Sequence, residues 1–285
     1  MIPAPFDYVR PGTLDEALQA VAEGGEDVKI LAGGQSLIPV MRLRLAAPET
    51  VVDLGRVAEL RGVRDDGDAI VIGAMATHHD VMTDPLVLQH APLIAEATET
   101  VADRQVRARG TFGGALAHAD PAGDLPAVAL ALDADFVIAG PEGRRTVPAS
   151  EFFVDYLTTA LDEGELLVEI RVPKLHGTWG MHYEKFNRVA QAWSIVAVAV
   201  VVRRENGHIA EARIGLTNMG PTPLRAHAVE AALVDVEATR EAVAAAAEHA
   251  AEGTSPSSDL NAQADYREHL AQVLTRRAVT AAAGL

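Results

Sequence analysis

Apolar and polar positions along this chain fall into three stretches of different rhythm. In the first, to about residue 58, Thr13 stands as an N-cap before an apolar-periodic run at 17–22 that Gly24-Gly25 closes. Residues 28–32 (Val-Lys-Ile-Leu-Ala) read as a buried strand, Gly33-Gly34 turns the chain, and the spacing Leu37, Met41, Leu45 predicts a helix over 36–45. Val51-Val52-Asp53-Leu54 is a second short strand, giving the order α, β, turn, α, β. In the second stretch, 59–177, strands are predicted at 69–72, 135–139, 146–147 and 166–172 and helices at 77–82, 85–101 and 125–132. Strands outnumber helices here, and Gly140-Pro141-Glu142-Gly143 punctuates a hairpin. The third stretch, 178–285, holds strands at 182–188, 194–203 and 209–216, with Glu205-Asn206-Gly207 as a hairpin turn between the last two. Beyond Pro221 and Pro223 the chain turns alanine-rich, a high-propensity composition that predicts helices at 224–233, 237–252 and 264–283 around a loop at 253–259. There is no internal repeat. The pattern predicts an α+β protein in three parts: a small α/β unit (1–58), a mainly antiparallel sheet with helices (59–177), and an antiparallel sheet with a helical bundle (178–285).

Composition narrows the function. With 49% hydrophobic residues the 285-residue chain can bury a sizeable core. Its longest apolar run, 195–202, falls short of the roughly 20 residues that span a bilayer. The opening Met1-Ile2-Pro3-Ala4-Pro5 has neither a basic nor an apolar targeting region, so the expectation is a cytoplasmic protein without membrane insertion. A formal net charge of −16 disfavours nucleic acid and anionic membranes, and is otherwise the mark of a soluble surface. The absence of cysteine excludes disulfides, a cysteine nucleophile and a cysteine-ligated iron–sulfur cluster in this chain.

Two glycine-bearing segments carry the candidate chemistry. In Ala32-Gly33-Gly34-Gln35-Ser36-Leu37 a strand runs through two glycines into a helix start. Such a turn frees the N–H groups of Gly34, Gln35 and Ser36 to face an anion such as a pyrophosphate, with the Ser36 hydroxyl as a further donor. The spacing is neither the Rossmann nor the P-loop fingerprint, and taken alone the loop reads better as a plain strand–helix turn. The second segment, 109–126, holds four glycines together with Thr111, Asp120 and Asp124. Asp124, just before an apolar helix, reads on its own as an N-cap. A dinucleotide has two ends, and two such loops in one chain suit it.

These motifs, about 80 residues apart, closely resemble those of the FAD-binding medium subunits of the carbon monoxide dehydrogenase and xanthine dehydrogenase group of molybdenum hydroxylases. That group has an Ala-Gly-Gly-(His/Gln)-Ser-Leu loop and a Thr-(Ile/Val)-Gly-Gly-Asn loop followed by Asp-Pro-Ala-Gly-Asp-Leu-Pro. Further matches are Ile72-Gly73-Ala74 with Thr77-His78, Leu166 to Pro173, and Tyr183-Glu184-Lys185-Phe186, so the resemblance spans nearly the whole chain. It implies the two-domain FAD-binding fold of the vanillyl-alcohol oxidase (PCMH) type plus a C-terminal sheet-and-bundle domain. It also implies non-covalent FAD. Residues Ala32, Gly33, Gly34, Gln35 and Ser36 would wrap its pyrophosphate, and Leu37, Thr77 and His78 are matched positions assigned to the cofactor. Thr111, Gly113, Gly114 and Ala115 would lie along its second half, with Asp120 in the motif that follows and Asp124 binding through its carboxylate; Leu167 and Lys185 would contact it. Trp193 falls where the family places an aromatic near the isoalloxazine, and a core or interface tryptophan is its alternative. Two departures are informative: Ala115 replaces the usual Asn, and Gln35 stands where related flavoproteins carry a histidine that takes covalent flavin.

The resemblance further implies an electron-transfer subunit without catalytic residues of its own. Its partners would be a large molybdenum-cofactor subunit and a small 2Fe-2S subunit, assembled as a dimer of heterotrimers. Electrons would pass from substrate at molybdenum through the clusters to FAD and on to an external acceptor. Carbon monoxide, a purine, an aldehyde and an N-heterocycle remain open as substrates. The alternatives are a stand-alone FAD oxidase or dehydrogenase, for which the C-terminal segment is short and lacks a catalytic pair, and a non-redox nucleotide-binding module. His78-His79-Asp80 does not read as a metal site, because adjacent helical positions diverge. His118, Asp120 and Asp124 read less well as an acid–base set than as part of the flavin segment, and Arg104, Arg107 and Arg109 form a basic cluster facing a ligand, a partner or solvent.

Overall fold

The computed structural model describes residues 2–285. The N-terminal unit runs β1 (Asp7–Val9), α1 (Leu14–Gly24), β2 (Val28–Leu31), α2 (Leu37–Arg42), β3 (Thr50–Asp53). The strands form a parallel sheet in the order β1-β3-β2. Thr13 caps α1, its hydroxyl accepting from the Glu16 N–H, and Leu14, Ala17 and Val21 turn inward. The central strand β3 buries Val51 and Val52, whereas β2 is an edge strand that buries only Val28; the expectation of a buried strand at 28–32 is corrected accordingly. Strand β1 was not anticipated. All three of its residues are exposed, so it carries no alternation, and only pairing with β3 makes it a strand.

The middle of the chain runs β4 (Val63–Asp65), β5 (Ala69–Gly73), α3 (His78–Thr83), α4 (Pro85–His90), α5 (Pro92–Glu99), α6 (Arg104–Arg107), α7 (Phe112–His118), α8 (Asp124–Ala131), β6 (Asp135–Gly140), β7 (Gly143–Pro148), α9 (Ala149–Phe152), β8 (Phe153–Asp155), β9 (Thr158–Thr159), β10 (Leu166–Pro173). Five strands form an antiparallel sheet, β4-β5-β10-β6-β7, with the β6–β7 hairpin at the predicted turn. The predicted helix at 85–101 is two helices, broken where Pro92 cannot continue α4. Helices α6 and α7 were missed, so strands do not dominate this stretch as expected. In the central strand β10 the register shifts between Leu167 and Glu169. That bulge lets Leu167 share one face with Ile170 and Val172, packed on the helices, while Leu166 and Val168 pack on the N-terminal unit.

The last part comprises β11 (Trp179–Phe186), β12 (Val196–Glu205), β13 (His208–Thr217), β14 (Leu224–Arg225), α10 (His227–Leu233), α11 (Arg240–Ala247), α12 (Ala264–Ala283), its strands antiparallel in chain order. Asn206 and Gly207 both take positive φ, 50° and 83°, the geometry of a two-residue hairpin turn. Residues 196–202 are buried on both faces. Val196, Val198, Val200 and Val202 pack beneath the C-terminal helices, and Ala197, Ala199 and Val201 face the core that holds α5 and α8. This sheet therefore joins the C-terminal bundle to the glycine-rich region.

Candidate functional site

The two glycine segments are in direct contact. A Cβ on Gly33 would stand 2.3 Å from the Arg109 carbonyl oxygen and 2.6 Å from Gly110 Cα, so only glycine allows the first loop to rest on the second. Gly34 adopts φ 75° and turns the chain into α2. Among the described residues, the backbone N–H groups of Gly34, Gln35 and Ser36 donate to no protein acceptor, and the Ser36 hydroxyl caps nothing. Gln35 bends its amide back to the Gly33 carbonyl at 3.3 Å, and Leu37, half-buried, opens α2. A run of unpaired donors at a loop-to-helix junction is a cradle for an anionic group. Ala32 lies beneath Gly114, where a Cβ would come within 3.3 Å of the Ala32 methyl.

The second segment is the helix α7 and not an open loop, and its donors are already engaged. The Phe112 N–H donates to the Ala76 carbonyl at 2.9 Å and that of Gly113 to the Ala74 carbonyl at 3.0 Å. Those of Gly114 and Ala115 go to the Thr111 side chain and carbonyl, both at 3.1 Å. Gly113 is needed because its Cβ would press on Ala74 at 2.6 Å. This segment thus offers a close-packed surface at the half-buried Gly114 and Ala115, with no free N–H groups at 112–115. Thr77, which caps α3 in a reciprocal capping box with Asp80, bridges to Thr111. His78 follows, buried under Gly110 and donating its backbone N–H to the Gly110 carbonyl at 2.8 Å. Burial first, and the Arg107 charge second, push its imidazole down to about 4, so it is neutral near pH 7, and its buried Nδ1 has no partner.

Asp124 is corrected from N-cap to buried ion-pair partner. It is the first residue within α8, Gly123 takes the cap position, and the carboxylate points at the third part of the chain. Its Oδ2 accepts from Lys185 Nζ at 2.8 Å, and its Oδ1 accepts from the Tyr183 and Ser194 hydroxyls, each at 2.6 Å. The ion pair is almost solvent-free, with side-chain exposures of 5% and 4%, which makes it costly to break on one side because the remaining charge is left buried and unpaired. Lys185 also donates to the Thr100 carbonyl at 3.2 Å and borders an open cleft of about 460 Å³ between Thr100–Arg107 and Asn187–Ala190. Burial, then the neighbouring carboxylate, hold the Tyr183 phenol well above its usual range, so it is a permanent donor here. Tyr183 and Ser194 received no role from the sequence. Strand periodicity could have found Tyr183, which shares the Lys185 face of β11 two residues away.

The remaining sequence-derived residues lie around this centre. Leu167 is buried in β10 on the face toward α7. Asp120 turns its carboxylate onto the Ala122 N–H at 2.9 Å, shaping the turn between α7 and α8. Trp193 is 56% exposed, which removes the core alternative and leaves it on the surface beside Ser194. No cluster of three or more metal-ligating side chains occurs among the described residues. Arg107 donates to the Val101 carbonyl at 2.7 Å, whereas Arg104 and Arg109 are exposed. One anion cradle, a glycine interlock and a buried lysine at a cleft fit FAD, whose pyrophosphate needs the donors and whose ring system needs an apolar shelf.

These features define a flavin-holding subunit. Residues 4–175 match the family described as the FAD binding domain in molybdopterin dehydrogenase, and residues 181–282 the CO dehydrogenase flavoprotein C-terminal domain. The chain belongs to this molybdopterin dehydrogenase FAD-binding family and is an FAD-binding oxidoreductase subunit. The carbon monoxide dehydrogenase medium chain of Hydrogenophaga pseudoflava is 44% identical over 282 residues, covering 99% of this chain and 98% of its own. The 6-hydroxypseudooxynicotine dehydrogenase complex subunit alpha of Paenarthrobacter nicotinovorans is 37% identical, covering 99% and 96%. The solved carbon monoxide dehydrogenase from Hydrogenophaga pseudoflava lacking the Mo-pyranopterin moiety superposes with a TM-score of 0.97 at 47% identity, covering 99% of this chain and 98% of that one.

Proposed function

We propose that this chain is the electron-transfer subunit of a heteromeric molybdenum hydroxylase, working with a large molybdenum-cofactor subunit and a small 2Fe-2S subunit in a dimer of heterotrimers. FAD held here would supply the redox chemistry between the partner's iron–sulfur clusters and an external acceptor. The chain's own residues bind and orient. The N–H groups of Gly34, Gln35 and Ser36 are the observation that carries this reading, since they suit a pyrophosphate and no acceptor among the described residues uses them. Ala32, Gly114 and Ala115 offer the close-packed surface, and Lys185, fixed by Asp124, places a positive charge at the cleft. Parts 1–58 and 59–177 would clasp the cofactor while 178–285 contributes Lys185, Ser194 and Trp193. The absence of cysteine requires the clusters to sit in another chain. The relatives' names span carbon monoxide and a nicotine derivative on one architecture, which supports substrate choice by the large subunit. No helix among the described residues is long and apolar enough to cross a membrane, and the cytoplasm is the proposed compartment.

The test is the absorption spectrum of the chain purified from its host with its attached subunits. Flavin bands with an iron–sulfur shoulder are expected. Flavin bands alone on a pure single chain that oxidises a substrate would point instead to a self-sufficient flavoenzyme. No flavin, even after FAD is added, would overturn the cofactor assignment.

A further inference from the structure

Outside the glycine segments, Arg267 of α12 is the one fully buried guanidinium among the described residues, with no exposed surface. Its Nη2 forms an ion pair with Asp259 at 2.9 Å, its Nη1 donates to the Ile195 carbonyl, and among the described residues neither Nε nor Nη2 has a hydrogen-bond acceptor in good geometry. Burying such a charge is costly, and an apolar side chain of similar volume would fill the space without that cost. The Ile195 carbonyl has a second donor. Asn218, held at φ 63° by its own N–H to the Pro121 carbonyl at 2.8 Å, donates Nδ2 to Ser194 O at 2.8 Å and to Ile195 O at 3.3 Å. Both side chains therefore fasten the end of the 187–195 segment, immediately after Trp193, and Ser194 from that segment donates to Asp124. The Ile195 N–H also donates to the Phe186 carbonyl at 2.8 Å, which closes the base of the segment, and its remaining ties are Gln191 to Asp103 at 3.1 Å and the bonds of Asn187 within the segment.

We propose that Arg267 and Asn218 are positioning residues of the flavin site, clamping the 187–195 segment so that Ser194 stays on the Asp124–Lys185 pair and Trp193 stays beside it. Neither residue touches the glycine cradle. The clamp acts through two backbone carbonyls and ties the C-terminal bundle to the cofactor region. The inference rests on the FAD reading only for its consequence at the flavin; the clamp itself is a property of the chain.

The test uses the full chain and two substitutions. Arg267→Met keeps the volume and removes the donors; Asn218→Gly removes the carboxamide and tolerates the positive φ. Amide hydrogen exchange at Ala192 and Ile195, whose N–H groups have acceptors in the structure, is expected to quicken by ~10-fold in each variant, the loss of a hydrogen bond to a carbonyl, while protection in β12 and α12 holds. In the FAD-loaded protein the same variants are expected to change the visible flavin spectrum and the quenching of Trp193 fluorescence, read in a Trp179→Phe background, and Arg267→Lys is expected to restore part of both. Unchanged exchange at Ala192 and Ile195 in both variants refutes the clamp. Faster exchange with a parental flavin spectrum and quenching refutes the positioning role. Should Arg267→Met not fold, Asn218→Gly decides on the same readouts. If the parent chain takes up no FAD, the cofactor reading fails, and the exchange measurement still decides the clamp.

Discussion

Substituting Gly33 by alanine tests the interlock on which the cofactor site depends. Its new methyl would meet the Arg109 carbonyl oxygen at 2.3 Å and the carbonyl carbon at 2.9 Å. Both are backbone atoms that cannot swing aside as a side-chain tip would, so the two segments must part by about 1 Å to regain ordinary contact. Forced overpacking of this kind costs ~1–3 kcal/mol. The displacement also moves the unpaired N–H groups of Gly34, Gln35 and Ser36 relative to the shelf at Gly114 and Ala115. A hydrogen bond from such a group to a charged oxygen is worth ~1.5–3 kcal/mol, so losing one weakens FAD binding by ~10–100-fold. The assay is FAD titration of the full chain by flavin fluorescence, beside a thermal melt. Gly207→Ala is the control: it sits at φ 83° in a distant hairpin with nothing within 4 Å of the added methyl, so it strains the backbone and should leave FAD affinity alone. An alanine at 33 that binds FAD within about threefold of the parent, less than the loss of one such bond, would refute the interlock.

The buried pair and the buried histidine give further predictions. Lys185→Met leaves the Asp124 carboxylate buried with only two hydroxyl donors and should cost ~3–5 kcal/mol in denaturant unfolding, while Lys185→Met with Asp124→Asn should cost clearly less than the sum of the singles. Equal costs would show that the pair is not coupled. For His78 the folded value lies below the unfolded one, about 4 against 6.5, so the unfolded chain takes up the proton first as pH falls. Its stabilising effect is complete above pH 6.5 and is lost progressively down to pH 4, with a drop of about 2 kcal/mol between pH 7.5 and 5. Urea unfolding of the parent against His78→Leu checks this; an acid slope that survives in the variant assigns it to other groups.

Much of this architecture could be read from the sequence because local physics decides it. Thr13 with an apolar period, Asn206-Gly207 between alternating runs, and the all-apolar residues 196–202 each specify their element within a few neighbours. The cofactor was legible from the family resemblance that the glycine motifs carry, since the glycine turns alone read as well or better as plain turns. Other features needed distant partners. Helix α7 contains two adjacent glycines, each costing ~1 kcal/mol in a helix, and forms because Thr111 caps it and Ala74 and Ala76 accept its first N–H groups. Strand β1 exists only through β3, some forty residues on. Asp124 looks like an N-cap to its neighbours, yet Lys185 is 61 residues away and Ser194 is 70, and no local pattern encodes either contact. The sequence determined which residues would bend, cap and pack. Only the tertiary structure decided which donors stay free and which charge is buried against which, because those depend on groups that meet when the three parts close on one another.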